Sequence, residues 1–269
     1  MRTRLPDGWE PVHDQDPVAP RDAATVALLR DTEAGSETYL LRRQPTMAFA
    51  AGMSVFPGGS TQAGDDEPLG WVGPSVDAWA ARLRCTPEIA RALVVAAVRE
   101  TFEESGILLA GPDEHTTATE LDTDEITQTR LDLDGARRSL ADVLGEHGWV
   151  LRSDLLGAWA HWITPSFEPR RFDTRFFVAA VPEGQRVGSL PGEADRAAWI
   201  APQAALDSAA GGGVALMPPT VAVCRDLVGL RARDVVRLAH ERVIETVEPR
   251  LVRGDDGAWY IENTLEDLS

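Results

Sequence analysis

The order of apolar and polar positions predicts strands near the beginning of the chain. Apolar and β-branched residues fill 23–30 and 38–43, and a short polar stretch that includes Gly35 separates the two runs, as is typical of a β-hairpin. A third apolar run ends in Phe56-Pro57-Gly58-Gly59. Because proline cannot continue a strand ladder and paired glycines permit unusual backbone angles, this run predicts a strand that enters a tight turn.

The clearest helical pattern covers residues 87–105. Thr86 is a good N-cap, Pro87 suits the first helical turn, and Gly106 is a natural C-terminal stop. Apolar residues occur on all sides of this segment, so we expect the helix to lie between other layers of the fold.

The remaining chain alternates helical and strand patterns, which indicates an α/β or α+β fold. Helices are expected over 75–84, 124–147 (one or two), 201–210, 218–229 and 231–240, and strands over 155–163, 172–181 and 197–200, with a closing hairpin from 243–252 and 259–261. Residues 1–20 predict an irregular lead-in. Residues 21–269 are taken as one domain with insertions at 60–87 and 111–147 and a C-terminal helical extension.

Composition and charge exclude several classes of function. The formal net charge of −17 argues against nucleic acid as a partner, and no run of 18 apolar residues predicts a membrane span. The polar N-terminus lacks a secretory signal, so a cytoplasmic location is expected. All 26 basic residues are arginine, so any phosphate clamp must use arginine, backbone amides or metal. Cys85 and Cys224 are expected to be buried thiols.

Three glutamates gather at the end of the predicted helix. Glu100, Glu103 and Glu104 stand at positions i, i+3 and i+4, where like charges repel each other and face the negative end of the helix dipole. Arg99 can pair with Glu103, but one arginine cannot neutralise three carboxylates. A divalent cation would, and oxygen ligands alone favour Mg²⁺ or Mn²⁺. The alternative is an ordinary charged last turn with salt bridges elsewhere.

These residues carry a resemblance to a known family. Gly58-Gly59 followed by Arg99-Glu100-Thr101-Phe102-Glu103-Glu104-Ser105-Gly106-Ile107 resembles the Nudix box, G-x5-E-x7-R-E-U-x-E-E-x-G-U, where U is a bulky apolar residue. At normal spacing the first glycine falls on Cys85 and the first glutamate on Arg91. Residues 60–87 are therefore expected to split the box, as in the subgroup that resembles peroxisomal coenzyme A diphosphatases. Segments 162–165, 171–177 and 192–202 are similar to the same subgroup.

The resemblance implies a Nudix-type α/β/α sandwich with a mixed β-sheet and helical insertions. It implies hydrolysis of a pyrophosphate bond in a nucleoside diphosphate derivative, with Glu100, Glu103, Glu104 and the Gly58 carbonyl as metal ligands and Arg99 orienting the glutamates. Coenzyme A (CoA) or acyl-CoA is the candidate substrate. Gly52 and 56–59 match the end of a pattern in CoA-cleaving members, although Ala48 replaces its arginine. ADP-ribose and NADH compete with it, as does a non-catalytic nucleotide sensor.

Further residues are candidates for catalysis and substrate binding. Glu193 occupies a loop where some Nudix enzymes carry the general base, with a solvated loop residue as the alternative and Glu100 or Glu104 as other bases. Local clusters of positive charge predict a substrate site at Arg42, Arg43, Gly59, Arg171 and Arg175. The alternative for these arginines is ordinary ion pairing. A serine hydrolase is disfavoured because no GxSxG motif occurs. The expected partner is a small nucleotide, and a homodimer is one option for the assembly.

Overall fold

The computed structural model describes residues 2–4, 17–44, 51–119, 123–188 and 194–262. The helices within these ranges are α1 Val76–Leu83, α2 Pro87–Ser105, α3 Asp124–Asp134, α4 Leu140–His147, α5 Pro202–Ala210, α6 Pro218–Leu227 and α7 Ala232–Glu241. None of these helices is both long enough and apolar enough to cross a membrane.

Among the described residues, the strands form one large sheet and two small ones. They are β1 Arg2–Arg4, β2 Arg21–Thr32, β3 Gly35–Arg43, β4 Ser54–Val55, β5 Gly58–Ser60, β6 Trp71–Val72, β7 Ala110–Gly111, β8 Val150–Arg152, β9 Gly157–Ile163, β10 Phe172–Ala180, β11 Ala194–Ile200, β12 Thr246–Val247, β13 Arg250–Arg253 and β14 Trp259–Glu262. The large sheet has the order β11-β3-β2-β10-β9-β12, with β4 paired to β3 and β5 to β2. Because β10 runs parallel to β2 while β3 and β5 run antiparallel to it, the sheet is mixed.

Both faces of the large sheet are covered by helices. Alternate residues of β2 point to opposite faces, so that Val26 and Leu28 belong to one apolar core and Ala27 and Leu29 to the other. The first core contains α1 to α4, and the second contains α5 to α7. The predicted α/β/α sandwich with a mixed sheet is therefore confirmed.

Helix α2 is the central element of the first layer. The Thr86 side chain accepts a hydrogen bond from the Ile89 amide, and Gly106 ends the helix in a left-handed conformation with φ of 78°. The helix packs against β2, α1 and α3, and it is buried on several sides from Ala90 to Ser105. The predicted boundaries are confirmed, and the predicted burial is explained because α2 packs between β2 on one side and helices α1 and α3 of its own layer.

Several short elements were not predicted. Strand β1 pairs with β14, so the expected irregular lead-in contains a strand at residues 2–4. Strands β6 and β7 flank β8 in a small sheet. This sheet joins the predicted 60–87 insertion, which contains β6, to β7 and β8 at the two ends of the predicted 111–147 insertion. Two-residue strands are too short to show an alternating pattern, which explains why periodicity missed them. The 124–147 segment forms two helices, and α1 lies within 60–87 as expected, where Trp79 packs edge-on against Phe177.

Candidate active site

The glycine pair of β5 lies directly against the acidic end of α2. The Gly58 amide donates a hydrogen bond to Oε2 of Glu104 at 2.8 Å. A Cβ atom added at Gly59 would lie 2.4 Å from Oε1 of Glu100, and one added at Gly58 would lie 2.5 Å from the carbonyl oxygen of Ala24. Both positions therefore need glycine because the glutamates and β2 approach the backbone closely.

Substituting Gly59 tests this close approach. In Gly59→Ala the new methyl group must displace the Glu100 carboxylate, so we expect Mn²⁺ binding to weaken at least tenfold and the free energy of unfolding to fall by about 1–3 kcal/mol, as overpacking usually costs. Calorimetry and urea denaturation would measure both. Gly145→Ala is the control, since no atom lies within 4 Å of a Cβ there. A Gly59→Ala protein with wild-type stability and wild-type metal binding would contradict the steric argument.

Arg99 connects the carboxylates. Its side chain is 2% exposed, and its Nη1 donates to Oε1 of Glu100 at 2.8 Å and to Oε1 of Glu103 at 3.1 Å. The opposite side of the guanidinium donates from Nε and Nη2 to the two oxygens of Asp65 at 2.9 and 3.0 Å. Nη2 also donates to the carbonyl oxygen of Ser60 at 3.0 Å. These bonds fix the orientation of Glu100 and Glu103 relative to β5.

Asp65 is a site residue that the sequence prediction missed. It lies within the predicted insertion, is 1% exposed, and is the sixth residue after Gly59, where the pattern G-x5-E places its first glutamate. The placement of Arg91 at the first glutamate of the Nudix box is corrected. Asp65 stands at that position and bonds Arg99, and the inserted residues that split the box come after Asp65. The spacing from Gly59, with aspartate accepted for glutamate, was the available signal.

The sequence departs from the Nudix box at Thr101. Thr101 stands where the Nudix box has its first bulky apolar residue. It is fully buried, and its hydroxyl donates to the Ala97 carbonyl oxygen at 2.7 Å. This bond satisfies the hydroxyl inside the apolar core, so threonine is tolerated at that position.

The site carries an excess of negative charge. The sequence predicted three glutamates against Arg99. The structure brings two further acids close to them, Asp65 and Asp134, and one further arginine, Arg130, which donates to the Glu103 carbonyl. Among the described residues, carboxylates therefore outnumber guanidinium groups at this end of α2. Burial raises the pKa of Glu100, with Asp65 adding to the shift, and burial together with Glu100 raises the pKa of Glu103 to about 8.

The donor set suits a hard divalent cation. Within the described ranges no three Asp, Glu, His or Cys side chains are already arranged as a metal cage. Arg99 bonds Oε1 of both Glu100 and Glu103, whereas no described residue donates a hydrogen bond to their Oε2 atoms. Oxygen donors with an excess of negative charge fit Mg²⁺ or Mn²⁺.

The pKa of Glu103 makes stability depend on pH in a defined direction. Its folded-state pKa of about 8 lies above the ordinary value of 4.5, so the folded protein holds this proton more tightly than the unfolded chain does. In EDTA we therefore expect the free energy of unfolding attributable to Glu103 to fall as pH rises from about 5 to 8. Urea denaturation of wild type and Glu103→Gln at several pH values isolates it. Parallel pH profiles for the two proteins would contradict the assignment.

The predicted substrate arginines Arg42 and Arg43 end β3 and are half-buried. Tyr39 and Leu41 contribute to the core on the α2 face, and Leu40 contributes to the opposite core. Because side chains alternate along a strand, Arg43 belongs to the α2 face and Arg42 to the other face. Only Arg43 is therefore brought to the side of the sheet that carries the glutamates, and a substrate contact for either residue stays a prediction.

Arg171 and Arg175 have protein partners. Arg171 donates to the carbonyl oxygens of Thr164 and Val18 and pairs with Glu248 at 2.7 Å. Arg175 contacts Asp173, and its Nη1 lies 2.5 Å from Nε2 of His161. Arg175 pairs with Ala24, and Ala24 pairs with Gly59, so the Cα atoms of Arg175 and Gly59 lie two strand spacings, or about 10 Å, apart. Their role in substrate binding remains a prediction.

Glu193 and Ala48 lie outside the described residues. Cys224 is buried as expected, and burial raises the pKa of its thiol to about 12. Cys85 is only half-buried, so the expectation of a fully buried thiol there is corrected.

Comparison with known proteins agrees with this geometry. The family model described as the NUDT19 Nudix domain matches residues 79–226. The protein named "Putative nudix hydrolase 7" of Caenorhabditis elegans is 28% identical over 75% of this chain and 58% of its own length. Acyl-coenzyme A diphosphatase NUDT19 of Xenopus laevis is 25% identical over 68% of this chain and 57% of its own length. The chain thus spans less than two thirds of these curated relatives.

A solved structure shares the fold. The crystal structure of a NUDIX hydrolase from Alicyclobacillus acidocaldarius aligns with a TM-score of 0.65 and 29% identity, covering 84% of this chain and 97% of that one. The sandwich, with its acidic helix against a glycine pair, defines a Nudix superfamily protein. Within the superfamily, the match over more than half of the residues places the chain in the NUDT19 Nudix domain family, the coenzyme A diphosphatase-like subgroup.

Proposed function

We propose that this protein is a divalent-metal-dependent pyrophosphohydrolase that cleaves the diphosphate bond of a nucleoside diphosphate derivative. The observation that carries the proposal is the acidic end of α2, where Glu100, Glu103 and Glu104 gather around Arg99 and Asp65 beside a glycine pair. A protein that only binds nucleotides has no need for carboxylates that repel one another. Family membership supports the same reaction class.

The residues that would hold the metal are Glu100, Glu103 and Glu104, with the Gly58 carbonyl as a further predicted ligand. Mg²⁺ or Mn²⁺ bound there would supply neutralisation of phosphate charge and a water molecule of lowered pKa. The protein's own contribution is positional: Arg99 holds Glu100 and Glu103, and the Gly58 amide holds Glu104.

Hydrolysis requires a base for the attacking water. The water oxygen forms a bond to one phosphorus atom of the diphosphate, the bond from that phosphorus to the bridging oxygen breaks, and the water proton passes to a carboxylate. Glu193, Glu100 and Glu104 are the candidates for this base. The products are two phosphate monoesters.

Coenzyme A and its acyl esters are the substrates that we propose first. The relative from Xenopus laevis is named an acyl-coenzyme A diphosphatase, and residues 56–59 agree with the end of a pattern in CoA-cleaving Nudix enzymes. Arg43, on the glutamate side of the sheet, is a candidate contact for a substrate phosphate. Hydrolysis of the CoA diphosphate would yield adenosine 3′,5′-bisphosphate and a 4′-phosphopantetheine compound.

A substrate panel tests the proposal. Coenzyme A, an acyl-CoA, ADP-ribose, NADH and diadenosine polyphosphates are incubated with the protein and Mg²⁺ or Mn²⁺, and the products are separated by chromatography. We expect EDTA-sensitive cleavage at the diphosphate, fastest for the coenzyme A compounds. Faster cleavage of ADP-ribose or NADH would overturn the substrate assignment, and no cleavage of any compound would overturn the enzymatic function.

A further inference from the structure

Arg130 of α3 binds the end of the acidic helix, although it belongs to the predicted 111–147 insertion and not to the Nudix pattern. Its Nε lies 3.0 Å from the Phe102 carbonyl oxygen and 3.2 Å from that of Glu103, and its Nη2 donates to the Glu103 oxygen at 2.8 Å. The residue is 6% exposed. The Phe102 oxygen also accepts from the Gly106 amide, at 2.8 Å. The last carbonyl groups of a helix, here that of Glu103, have no partner within the helix, so a guanidinium fork is an effective cap.

We propose that Arg130 is a positioning residue that holds the last turn of α2 in the geometry needed for metal binding. This inference rests on the proposed function, because its consequence is the placement of Glu103 and Glu104, which that function requires. Glu103 is anchored twice, by Arg130 at its backbone and by Arg99 at its side chain. Removing Arg130 leaves the turn that carries both glutamates without its charged cap.

Gly188 keeps space for the Arg130 guanidinium. A Cβ atom at Gly188 would lie 2.7 Å from Nη1 of Arg130. The Gly188 amide also donates to the Ser105 carbonyl oxygen at 2.8 Å, so Gly188 caps the same turn. Gly188→Ala should therefore push the guanidinium away from the helix end without altering any carboxylate.

A positioning role and a simple charge effect predict opposite results. A positive charge close to the glutamates repels a cation, so by Coulomb's law alone the loss of Arg130 would strengthen metal binding. Arg130 and Glu104 both lie close enough to Tyr39 to affect its pKa. Burial raises the pKa of Tyr39, Arg130 opposes the shift, and Glu104 adds to it, so Arg130 acts within the electrostatic field of the glutamate site. If Arg130 acts by positioning, its loss weakens metal binding despite the relief of repulsion.

The test compares Mn²⁺ binding by the full-length wild type, Arg130→Met, Arg130→Lys, Gly188→Ala and the double variant Arg130→Met/Gly188→Ala. Calorimetry and electron paramagnetic resonance report binding without turnover. We expect about tenfold weaker binding in both Arg130 variants, as is usual when a partner that orients metal ligands is lost. Gly188→Ala should weaken binding in the wild-type background and have no added effect beside Arg130→Met. The kcat should fall while KM for the nucleotide stays constant.

Arg137→Met is the matched control, because Arg137 also donates to a helix carbonyl, that of Leu131, but is exposed and has its ion pair with Asp132. It should bind Mn²⁺ like the wild type. Unchanged or tighter binding in the Arg130 variants, or a Gly188→Ala effect that persists in the double variant, overturns the positioning role alone. A wild type that binds no Mn²⁺ overturns the proposed function and the positioning role together. Arg130→Lys and Gly188→Ala keep the test decisive if Arg130→Met fails to fold.

Discussion

Glu104→Gln is expected to lower kcat/KM for the best substrate of the panel by at least about 100-fold, since loss of a metal ligand should cost no less than loss of a residue that only orients one. Most of the effect should appear in kcat. The glutamine oxygen can still accept the hydrogen bond that Gly58 donates to Glu104. The free energy of unfolding without metal should therefore change by less than about 1 kcal/mol.

The control for this variant lies on the same helix. Glu88→Gln removes an exposed carboxylate from the first turn of α2, at the opposite end from the site, and should leave kcat/KM unchanged. Steady-state kinetics with Mg²⁺ and with Mn²⁺ and urea denaturation in EDTA measure the two quantities separately. Wild-type turnover by Glu104→Gln would remove Glu104 from the proposed metal ligands.

Asp65→Asn is expected to have the largest effect on stability. Asp65 and Arg99 are 1% and 2% exposed and are joined by two hydrogen bonds, so neutralising the aspartate leaves a buried guanidinium with less compensation. Removing one partner of a buried ion pair typically costs about 3–5 kcal/mol of unfolding free energy. The side-chain bonds from Arg99 to Glu100 and Glu103 should also become less well defined, so Mn²⁺ binding should weaken.

Asp66→Asn is the matched control, because Asp66 is the neighbouring carboxylate and is exposed. Its free energy of unfolding should stay within about 0.5 kcal/mol of the wild type. Urea denaturation of the three proteins at one pH gives the comparison directly. If Asp65→Asn and Asp66→Asn had equal stabilities, Asp65 could not be the residue that holds Arg99 in place.

Local signals predicted the elements that carry the site. The limits of α2 follow from Thr86, Pro87 and Gly106, because a cap residue and a left-handed glycine act within one helical turn of the chain. The β2–β3 hairpin follows from a short polar interruption between two apolar runs. The three glutamates share one face because their spacing is helical. Their placement together could therefore be predicted once α2 was predicted.

The contacts that complete the site depend on the tertiary fold. Asp65 lies 34 positions before Arg99, and Arg130 lies 27 positions after Glu103, so no helical or strand periodicity relates them. The Asp65 contact had a spacing signal, whereas nothing local marks Arg130 among the 26 arginines. The sheet of β6, β7 and β8 was missed because its strands contain two or three residues.

A manganese-soaked crystal tests the central claim most directly, because Mn²⁺ is located by its anomalous scattering. We predict an anomalous peak bonded to carboxylate oxygens of Glu100, Glu103 and Glu104, with Arg99 still bound to Asp65. The central claim would be contradicted by a crystal in which Mn²⁺ is bound at other positions but no peak appears at these side chains and the glutamates are paired only to arginine and backbone groups.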